Sequence, residues 1–279
     1  MLVSLVVATK DRTTEPARLL ETIARQTYTE YEVLVVDQNR DDRLKPVLAS
    51  WPGLNVVHLK SEAGLSRARN VGLAAAKGDV IAFPDDDCWY APNLLQEVVQ
   101  KLDSHPDWSG LCGRTMDDQS ARPLWQWHTQ PGPVTKRNVW RRVNSNSVFL
   151  RKTVFQAGCR FDERLGVGAG TPWGSAEEVD LILSALEAGA RIEFVPDIVV
   201  FHKNVFPDGD PAEITKAYRY ACGTGFVLRK HKYPLDSIAL RILAPVAYAA
   251  AGLITGRLYR ARFMAAIARG RLRGLFSAG

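Results

Sequence analysis

Short apolar segments alternate with helical segments over roughly the first hundred residues, and this alternation constrains the fold more than any other feature of the sequence. The apolar segments end in polar turn residues, which is typical of buried parallel strands. Strands that alternate with helices predict an α/β fold, with a mostly parallel sheet flanked by helices. The predicted strands are residues 3–8, 33–36, 56–59 and 80–83, and helical patterns follow near 16–23, 66–76 and 93–102.

The alternation weakens after residue 112. Residues 115–145 are rich in Trp, Arg and Pro and indicate an irregular segment, and residues 166–175 are rich in glycine. Residues 147–150, 192–195 and 198–201 are predicted as short strands, and residues 176–188 as a helix. From residue 214 onward the pattern is helical and basic. We therefore predict two domains, an α/β domain over 1–205 and a helical, basic extension over 206–279.

The charge is divided unevenly along the chain. The net charge is +6, but residues 216–279 contain 12 Lys and Arg and one acid, whereas residues 1–215 contain 24 Lys and Arg and 29 acids. An acidic body argues against wide contact with nucleic acid. A strongly basic tail predicts an anionic partner for that tail alone.

The tail combines this charge with an apolar stretch. Residues 242–256 are apolar, but 15 residues fall short of the roughly 20 needed to span a bilayer. The arginines that follow are interleaved with apolar residues, which favours a helix lying on an anionic membrane surface. The alternative is a helix that packs on the body or on a second subunit. The four cysteines form no close pair and the N-terminus has no basic segment, so we expect a cytoplasmic protein at the cytoplasmic face of a membrane.

Carboxylates follow three of the predicted strands. Asp11, Asp37 and the triplet Asp85–Asp87 lie at strand ends, the edge where open α/β sheets bind ligands. On an extended segment Asp85 and Asp87 share a face. Neighbouring carboxylates repel each other unless a cation is near, which suits Mg²⁺ or Mn²⁺ held together with substrate phosphates. The alternative is a solvated acidic turn before the helix near Asn93.

Two helix starts also carry polar groups. Arg67 and Arg69 begin the helix after the third strand, a position that favours an anion; the alternative is two surface residues. Glu177 and Glu178 begin the helix after the glycine-rich segment and diverge by about 100°. Glu178 is either the partner of Ser175 in a capping box, which the spacing alone favours, or a general base.

The motifs together resemble one family. The segments 3–12, 32–37, 64–70, 83–87 and 177–181 occur in the order seen in GT-A fold, Rossmann-like glycosyltransferases of family 2, over roughly residues 2–202. The resemblance implies an inverting, metal-dependent transfer of a sugar from a nucleotide diphosphate sugar, usually a UDP-sugar, to a hydroxyl of a saccharide or lipid-linked acceptor.

The resemblance also implies roles for single residues. Asp37 would bind the uracil or ribose, Arg67 or Arg69 would face the diphosphate, and Glu178 would be the base. Asp87 would be the best metal ligand, with Asp85 or Asp86 nearer the ribose or sugar. His202 resembles a histidine that some members add to the metal, although a plain strand-end histidine is as good an interpretation. The remaining implied substrate contacts are Thr9, Asp11, Arg12, Asn70 and Glu177. Apart from the resemblance, Trp125, Trp127 and Trp173 are candidates for stacking on sugar rings, although a buried tryptophan is the commoner case.

The sequence departs from the family pattern in two places. Gln38-Asn39 follows Asp37 where members often carry Gly-Ser, and the base position is Glu instead of Asp. Two other functions compete with sugar transfer. A sugar-nucleotide nucleotidyltransferase would need a glycine-rich phosphate loop after the first strand, and residues 8–12 contain no glycine. A non-catalytic binding protein would leave the triplet Asp85–Asp87 unexplained.

Overall fold

The structure is a computed structural model that describes residues 1–117, 128–203 and 209–277, so the candidates Trp125 and Trp127 lie outside the described residues. The strands are β1 (Val3–Thr9), β2 (Tyr31–Asp37), β3 (Val56–Lys60), β4 (Val80–Ala82), β5 (Cys88–Tyr90), β6 (Gly110–Met116), β7 (Gly132–Pro133), β8 (Val148–Arg151) and β9 (Ile192–His202). The helices are α1 (Thr14–Ala24), α2 (Lys45–Ala49), α3 (Leu65–Ala75), α4 (Leu94–Ser104), α5 (Lys152–Gln156), α6 (Glu177–Glu187), α7 (Pro211–Lys230), α8 (Leu235–Ile254) and α9 (Leu258–Phe276).

The described residues form one nine-stranded sheet in the order β3-β2-β1-β4-β8-β6-β9-β5, with β7 paired to β9. The strands from β3 to β4 are parallel, as the alternation predicts. Further along the sheet, β8 runs antiparallel to both of its neighbours, β6 and β9 are parallel, and β5 and β7 pair antiparallel with β9. The predicted α/β class, with a central sheet flanked by helices, is confirmed.

The hydrophobic core forms where α1 and α4 pack on the sheet. Each helix repeats apolar residues at three- and four-residue spacing, and those residues are the buried ones. The parallel strands are apolar on both faces because the sheet has cover on each side. The helix residues in the core are Leu19, Leu20, Ile23, Leu94, Leu95, Val98, Val99 and Leu102.

The register of the parallel strands places polar residues in a row at one edge. Thr9 ends β1 opposite Asp37 of β2, and Asp37 lies opposite Lys60 of β3. An isolated parallel bridge joins Ala8 to Asp85 beyond the end of β4. The carboxyl ends of β1 to β4 therefore converge on the edge where the sequence predicts the ligand.

The chain divides into two compact units. Unit 1 comprises Met1–Ala63, Arg67–Phe161 and Leu181–Asn204, and it contains the sheet. Unit 2 comprises Gly64–Ser66, Asp162–Asp180 and Val205–Gly279. The glycine-rich segment and the start of α6 thus cluster with the C-terminal helices. The sequence-based boundary between residues 205 and 206 stays a prediction.

Unit 2 is built on close contacts between its three long helices. A Cβ atom at Gly225 of α7 would clash with the backbone of Arg271, and one at Gly274 of α9 would clash with the backbone of Cys222. Gly252 of α8 approaches Ala261 of α9 in the same way. Among the described residues, α8 is the one helix long and apolar enough, by length and composition alone, to cross a membrane.

Candidate active site

The carboxylate turn Asp85–Asp87 is held by arginine. Arg12, which follows β1, donates from Nη1 to Asp86 Oδ1 at 2.6 Å and to Asp87 Oδ2 at 2.7 Å. Asp85 accepts from Nη2 of the buried Arg69 at 2.8 Å and from the hydroxyl of Ser145 at 3.2 Å. The two arginines therefore compensate a turn that would otherwise concentrate three negative charges.

His202 reaches the same turn from the end of β9. Its register opposite Cys88 brings Nε2 to 3.0 Å from Asp87 Oδ1, while Nδ1 lies 2.8 Å from the carbonyl oxygen of Lys203. Burial by itself would lower the pKa of His202, but the hydrogen bond and the charge of Asp87 raise it above its ordinary value. The strand-end histidine is thus part of the carboxylate cluster.

The three carboxylates differ in how readily they ionise. Burial raises the pKa of Asp85 against the opposing charge of Arg69, and burial raises the pKa of Asp86 to about 6 although the charge of Arg12 opposes it. Burial would also raise the pKa of Asp87, but His202 and Arg12 outweigh it and lower that pKa to about 2. Asp87 is therefore the carboxylate of the turn whose ionised form the surroundings favour most.

The carboxylate of Asp87 and the imidazole of His202 are chemically suitable ligands for a divalent cation. A carboxylate and an imidazole are ligands for Mn²⁺, and the carboxylate also suits Mg²⁺. The described residues contain no group of three or more ligating side chains arranged around one point. Two protein ligands that are completed by substrate phosphates fit this arrangement better than an all-protein cage.

A second cluster surrounds Asp37, whose side chain is fully buried. Oδ1 accepts from the backbone N–H and the side-chain amide of Asn39, both at 2.8 Å. Oδ2 lies 2.7 Å from Nζ of Lys60 and 3.0 Å from Nε2 of His58. Burial opposes ionisation, but these contacts, led by Lys60, lower the pKa of Asp37. Lys60 also donates to the carbonyl oxygens of Asn39 and Asp41, which ties the loop after β2 to β3.

The sequence pattern did not indicate four residues of the site, which are Asn39, His58, Lys60 and Ser145. His58 and Lys60 alternate along β3 in the pattern expected of one strand face, a signal that was available. Ser145 lies in a 3₁₀ turn inside the segment interpreted as irregular, and nothing in its sequence context indicated a contact with Asp85.

Thr9 and Asp11 flank the end of β1. Thr9 is buried, and its hydroxyl has no hydrogen-bond partner among the described residues. Asp11 has a positive φ of 59°, a conformation that Asp tolerates better than most residues. Its backbone N–H donates to Asn39 Oδ1 at 2.7 Å, and its side chain is exposed. Asp11 thus joins the ends of β1 and β2 through its backbone.

Arg67, Arg69 and Asn70 take three different positions. Arg67 is exposed, whereas Arg69 is buried and bound to Asp85. Asn70 exchanges two hydrogen bonds with the backbone of Phe161, at 3.0 and 3.1 Å. Residues two positions apart on a helix face different sides, which agrees with the difference in burial between the two arginines. Contacts of these residues with substrate stay a prediction.

Trp173, Glu177 and Glu178 belong to unit 2. Trp173 is buried and stacks on Phe226 with ring centroids 4.0 Å apart, so in this conformation it does not present a free face to a sugar. Glu177 is buried, and a Cβ atom at Gly166 would lie 3.3 Å from its carboxyl group. Glu178 is half-buried, which leaves it the more accessible carboxylate of the pair.

α6 begins one residue later than the capping box predicted for Ser175 and Glu178 requires. α6 begins at Glu177, and the residue before it is Ala176, which has a positive φ of 72°. Ser175 therefore lies one residue too early to cap the helix, and its hydroxyl donates instead to the carbonyl oxygen of Tyr220 at 2.9 Å. The role of Glu178 as a general base stays a prediction.

Comparison with known proteins identifies the family. The model of glycosyl transferase family 2 matches residues 4–163, more than half of the chain. The chain belongs to glycosyl transferase family 2. The matched region includes the Asp37 cluster and the carboxylate turn, and the resemblance inferred from the ordered motifs is confirmed.

Named relatives of this family 2 glycosyltransferase share parts of its length. An uncharacterized glycosyltransferase of Bacillus subtilis, YwdF, is 33% identical over 106 residues, which are 37% of this chain and 39% of that protein. The succinoglycan biosynthesis protein ExoO of Rhizobium meliloti is 28% identical over 210 residues, which are 70% of this chain and 58% of that protein. The chain thus spans about two fifths to three fifths of the length of these relatives.

Solved structures share the fold of the glycosyltransferase over nearly its whole length. TarS 1–349 of S. aureus in complex with UDP-GlcNAc has a TM-score of 0.65 at 16% identity, covering 98% of this chain and 91% of that chain. The mannosyltransferase PcManGT of Pyrobaculum calidifontis, in complex with GDP-Man and Mn²⁺, has a TM-score of 0.65 at 18% identity, covering 98% and 87%. At these identities the likeness shows the GT-A fold.

Proposed function

We propose that this glycosyltransferase transfers a sugar from a nucleotide diphosphate sugar, a UDP-sugar in the first instance, to a hydroxyl of a saccharide or lipid-linked acceptor with inversion at the anomeric carbon. The observation that carries the proposal is the carboxylate turn Asp85–Asp87, which Arg12, Arg69 and His202 surround at the carboxyl edge of the sheet. The bound UDP-GlcNAc of TarS and the bound GDP-Man of PcManGT support a nucleotide-sugar donor.

Asp87 and His202 are the residues that would hold Mg²⁺ or Mn²⁺, with Asp85 as a further candidate. When bound there, the cation would neutralise negative charge on the diphosphate leaving group. Mn²⁺ in the PcManGT structure supports this assignment. Because Asp87 keeps a low pKa of about 2, it would offer an ionised ligand across the physiological range.

Unit 1 would bind the nucleotide. The loop from Asp37 to Asp41, which Lys60 fixes, would form the nucleoside side of the pocket together with Thr9 and Asp11. Arg12 and Arg69 would place positive charge beside the diphosphate, where guanidinium groups bind phosphate oxygens well. Arg67 is a further candidate for that contact.

Glu178 would accept the proton from the acceptor hydroxyl. One base suffices for a single displacement, because the acceptor oxygen attacks the anomeric carbon directly as the diphosphate departs. No carboxylate nucleophile is needed, unlike in retaining glycosidases. Its half-buried position supports Glu178 over the buried Glu177.

The proposal is tested first by ligand binding. We expect one nucleotide sugar to raise the melting temperature of the protein, and to do so only when Mn²⁺ or Mg²⁺ is present. UDP-sugars and GDP-sugars are compared in parallel, with the free nucleotides as controls. Equal stabilisation with and without the cation would contradict the metal assignment, and no stabilisation by any nucleotide sugar would contradict the function.

The base is tested by Glu178→Gln. We expect this variant to bind the donor normally and to lose transfer by about 10²- to 10⁴-fold, because the amide cannot take the proton. Glu187→Gln, at the exposed far end of α6, is the matched control and should transfer normally. Near-normal turnover of Glu178→Gln, or a product that retains the anomeric configuration by NMR, would contradict the mechanism.

A further inference from the structure

α8 carries an apolar stripe that the protein leaves open. Residues 240, 243, 247, 250 and 254 recur at three- and four-residue spacing, which places them on one side of the helix. All five are exposed and apolar. The exposed fractions are 69% for Leu240, 62% for Leu243 and 86% for Ile254. A helix of a globular protein normally turns its polar residues to this side.

The opposite side of α8 is packed against α9. Pro245 and Gly252 are buried, and a Cβ atom at Gly252 would lie 3.2 Å from the Cβ atom of Ala261. The apolar character of α8 is therefore not explained by burial, because only 11% of its most apolar window is buried. The stripe is a surface on which something apolar can rest.

The surroundings of the stripe are cationic. Residues 237–279 contain seven arginines and no acid. Arg257, Arg260 and Arg262 are exposed where α8 is followed by α9. A partner for this surface must therefore combine an apolar interior with negative charge at its border, which is the chemistry of a membrane that contains anionic lipids.

We propose that the exposed stripe of α8 lies in the interfacial layer of an anionic membrane and that the arginines at the start of α9 contact the lipid phosphates. A second copy of the chain fits less well, because it would bring the same arginines to the contact and add no opposite charge. A membrane-spanning α8 fits less well too, since its packing on α9 would draw arginines into the hydrocarbon layer.

The first experiment is flotation of the full chain with vesicles. We expect binding to vesicles of phosphatidylcholine and phosphatidylglycerol in equal parts to exceed binding to phosphatidylcholine alone by about tenfold or more, and to weaken as salt is added. Equal binding to both vesicles, or none to either, would overturn the proposal. This measurement needs no variant, no donor and no acceptor, so it is independent of the proposed sugar transfer.

The second experiment replaces the stripe. The triple variant L240Q, L243Q and I254Q should lower vesicle binding by about tenfold or more, because these side chains would no longer enter the apolar layer. The matched triple variant L240M, L243M and I254M keeps the apolar character and should bind as the parent does. Circular dichroism checks that both fold, and normal binding by a folded glutamine variant would overturn the assignment of α8.

The charge is tested in the same way. R257Q, R260Q and R262Q together should reduce binding to the anionic vesicles, whereas R25Q, K45Q and K101Q, three exposed cations of unit 1, should not. If both triple variants lose vesicle binding equally, the net charge alone attracts the protein to the vesicles. That result would overturn the specific contact of the α9 arginines.

Two further measurements distinguish membrane-surface binding from a dimer contact and from a membrane-spanning helix. Sedimentation without lipid should give the same mass for the parent and for the glutamine variant of the stripe. If the parent is a dimer and the variant is a monomer, the stripe is instead a contact between two copies of the chain. Alkaline carbonate should release the vesicle-bound chain. If the chain stays on the vesicles after this treatment, α8 spans the membrane instead of lying on its surface.

Discussion

At the scale of the residue, Asp37 organises the loop at the end of β2. Its four hydrogen-bond contacts come from Asn39, His58 and Lys60, and its own side chain is fully buried. In the proposed nucleotide pocket the carboxylate would therefore act chiefly by fixing Lys60, which in turn holds two carbonyl oxygens of the loop.

We expect Asp37→Asn to weaken donor binding about tenfold, equal to about 1.4 kcal/mol, because a neutral amide no longer holds the Lys60 ammonium group and the loop loosens. The free energy of unfolding should fall by about 1–3 kcal/mol as a buried charge-assisted contact is lost. Isothermal titration with the nucleotide and urea unfolding measure the two effects.

Asp41→Asn is the control on the same loop. Asp41 is exposed, and its side chain pairs with Arg43 at the surface, so both quantities should change by no more than about 0.5 kcal/mol. Equal losses in the two variants would contradict the organising role of Asp37.

The residues of this site were predictable from the sequence where a strand end marked them. Asp37 and Asp85–Asp87 follow apolar segments that end in turns, and their positions are as expected. The pairing of Arg12 with the turn was not predictable, because it depends on how the segment after β1 folds across to the end of β4. The partners of Asp37 on β3 depend likewise on the register between two parallel strands.

At the scale of the element, the strands with many β-branched residues were predicted closely and the others were not. β6 contains two glycines and an arginine, so no apolar pattern indicated it. β9 was expected as two strands interrupted near Pro196, but it continues from Ile192 to His202. The pairing with β6 shifts register between Cys112 and Arg114, and Gly113 leaves room for the carbonyl of Ile198.

The packing of α7 on α9 also depends on a glycine that leaves room for neighbouring backbone atoms. A Cβ atom at Gly274 would clash with backbone atoms of Cys222 and Phe226. We expect Gly274→Ala to lower the free energy of unfolding by about 1–3 kcal/mol, since the backbone must shift to admit the methyl group. Urea unfolding followed by far-UV circular dichroism measures the loss.

Gly53→Ala is the matched control, because a Cβ atom there would meet nothing within 4 Å. It should leave the stability unchanged or raise it slightly, by reducing the entropy of the unfolded chain. A neutral Gly274→Ala variant would contradict the close approach of the two helices.

At the scale of the whole molecule, the segment from Asp162 to Asp180 makes its contacts with the C-terminal helices. Lys230 bridges Asp162 and Asp180 at 2.9 and 2.8 Å, and His231 lies 2.8 Å from Asp180. The backbone N–H of Gly174 donates to the carbonyl of Arg219 at 3.1 Å. These ionic and backbone contacts explain why the segment clusters with residues that follow it by about fifty positions.

A chain that ends at Lys203 lacks α7, α8 and α9, and we expect the two units to respond differently to this loss. The sheet, the Asp37 cluster and the carboxylate turn all lie in unit 1, so we expect the shortened chain to keep its strands and to bind the nucleotide. Residues 162–180 lose the partners of Asp180 and the stacking of Trp173 on Phe226. They should therefore become sensitive to trypsin at Arg164 and exchange their amide hydrogens quickly. Sugar transfer should be lost, because Glu178 belongs to this segment.

A chain that ends at Ser277 is the control and should match the full chain in proteolysis, hydrogen exchange and transfer. The experiment also tests the boundary predicted from the sequence. If residues 162–180 stay protected in the chain that ends at Lys203, the α/β domain over 1–205 is self-contained and the contacts with α7 are dispensable. If they lose protection while the nucleotide still binds, the unit proposed to hold the donor and the segment that carries the proposed base depend on different parts of the chain. The helical extension would then be required for catalysis as well as for any attachment to a membrane.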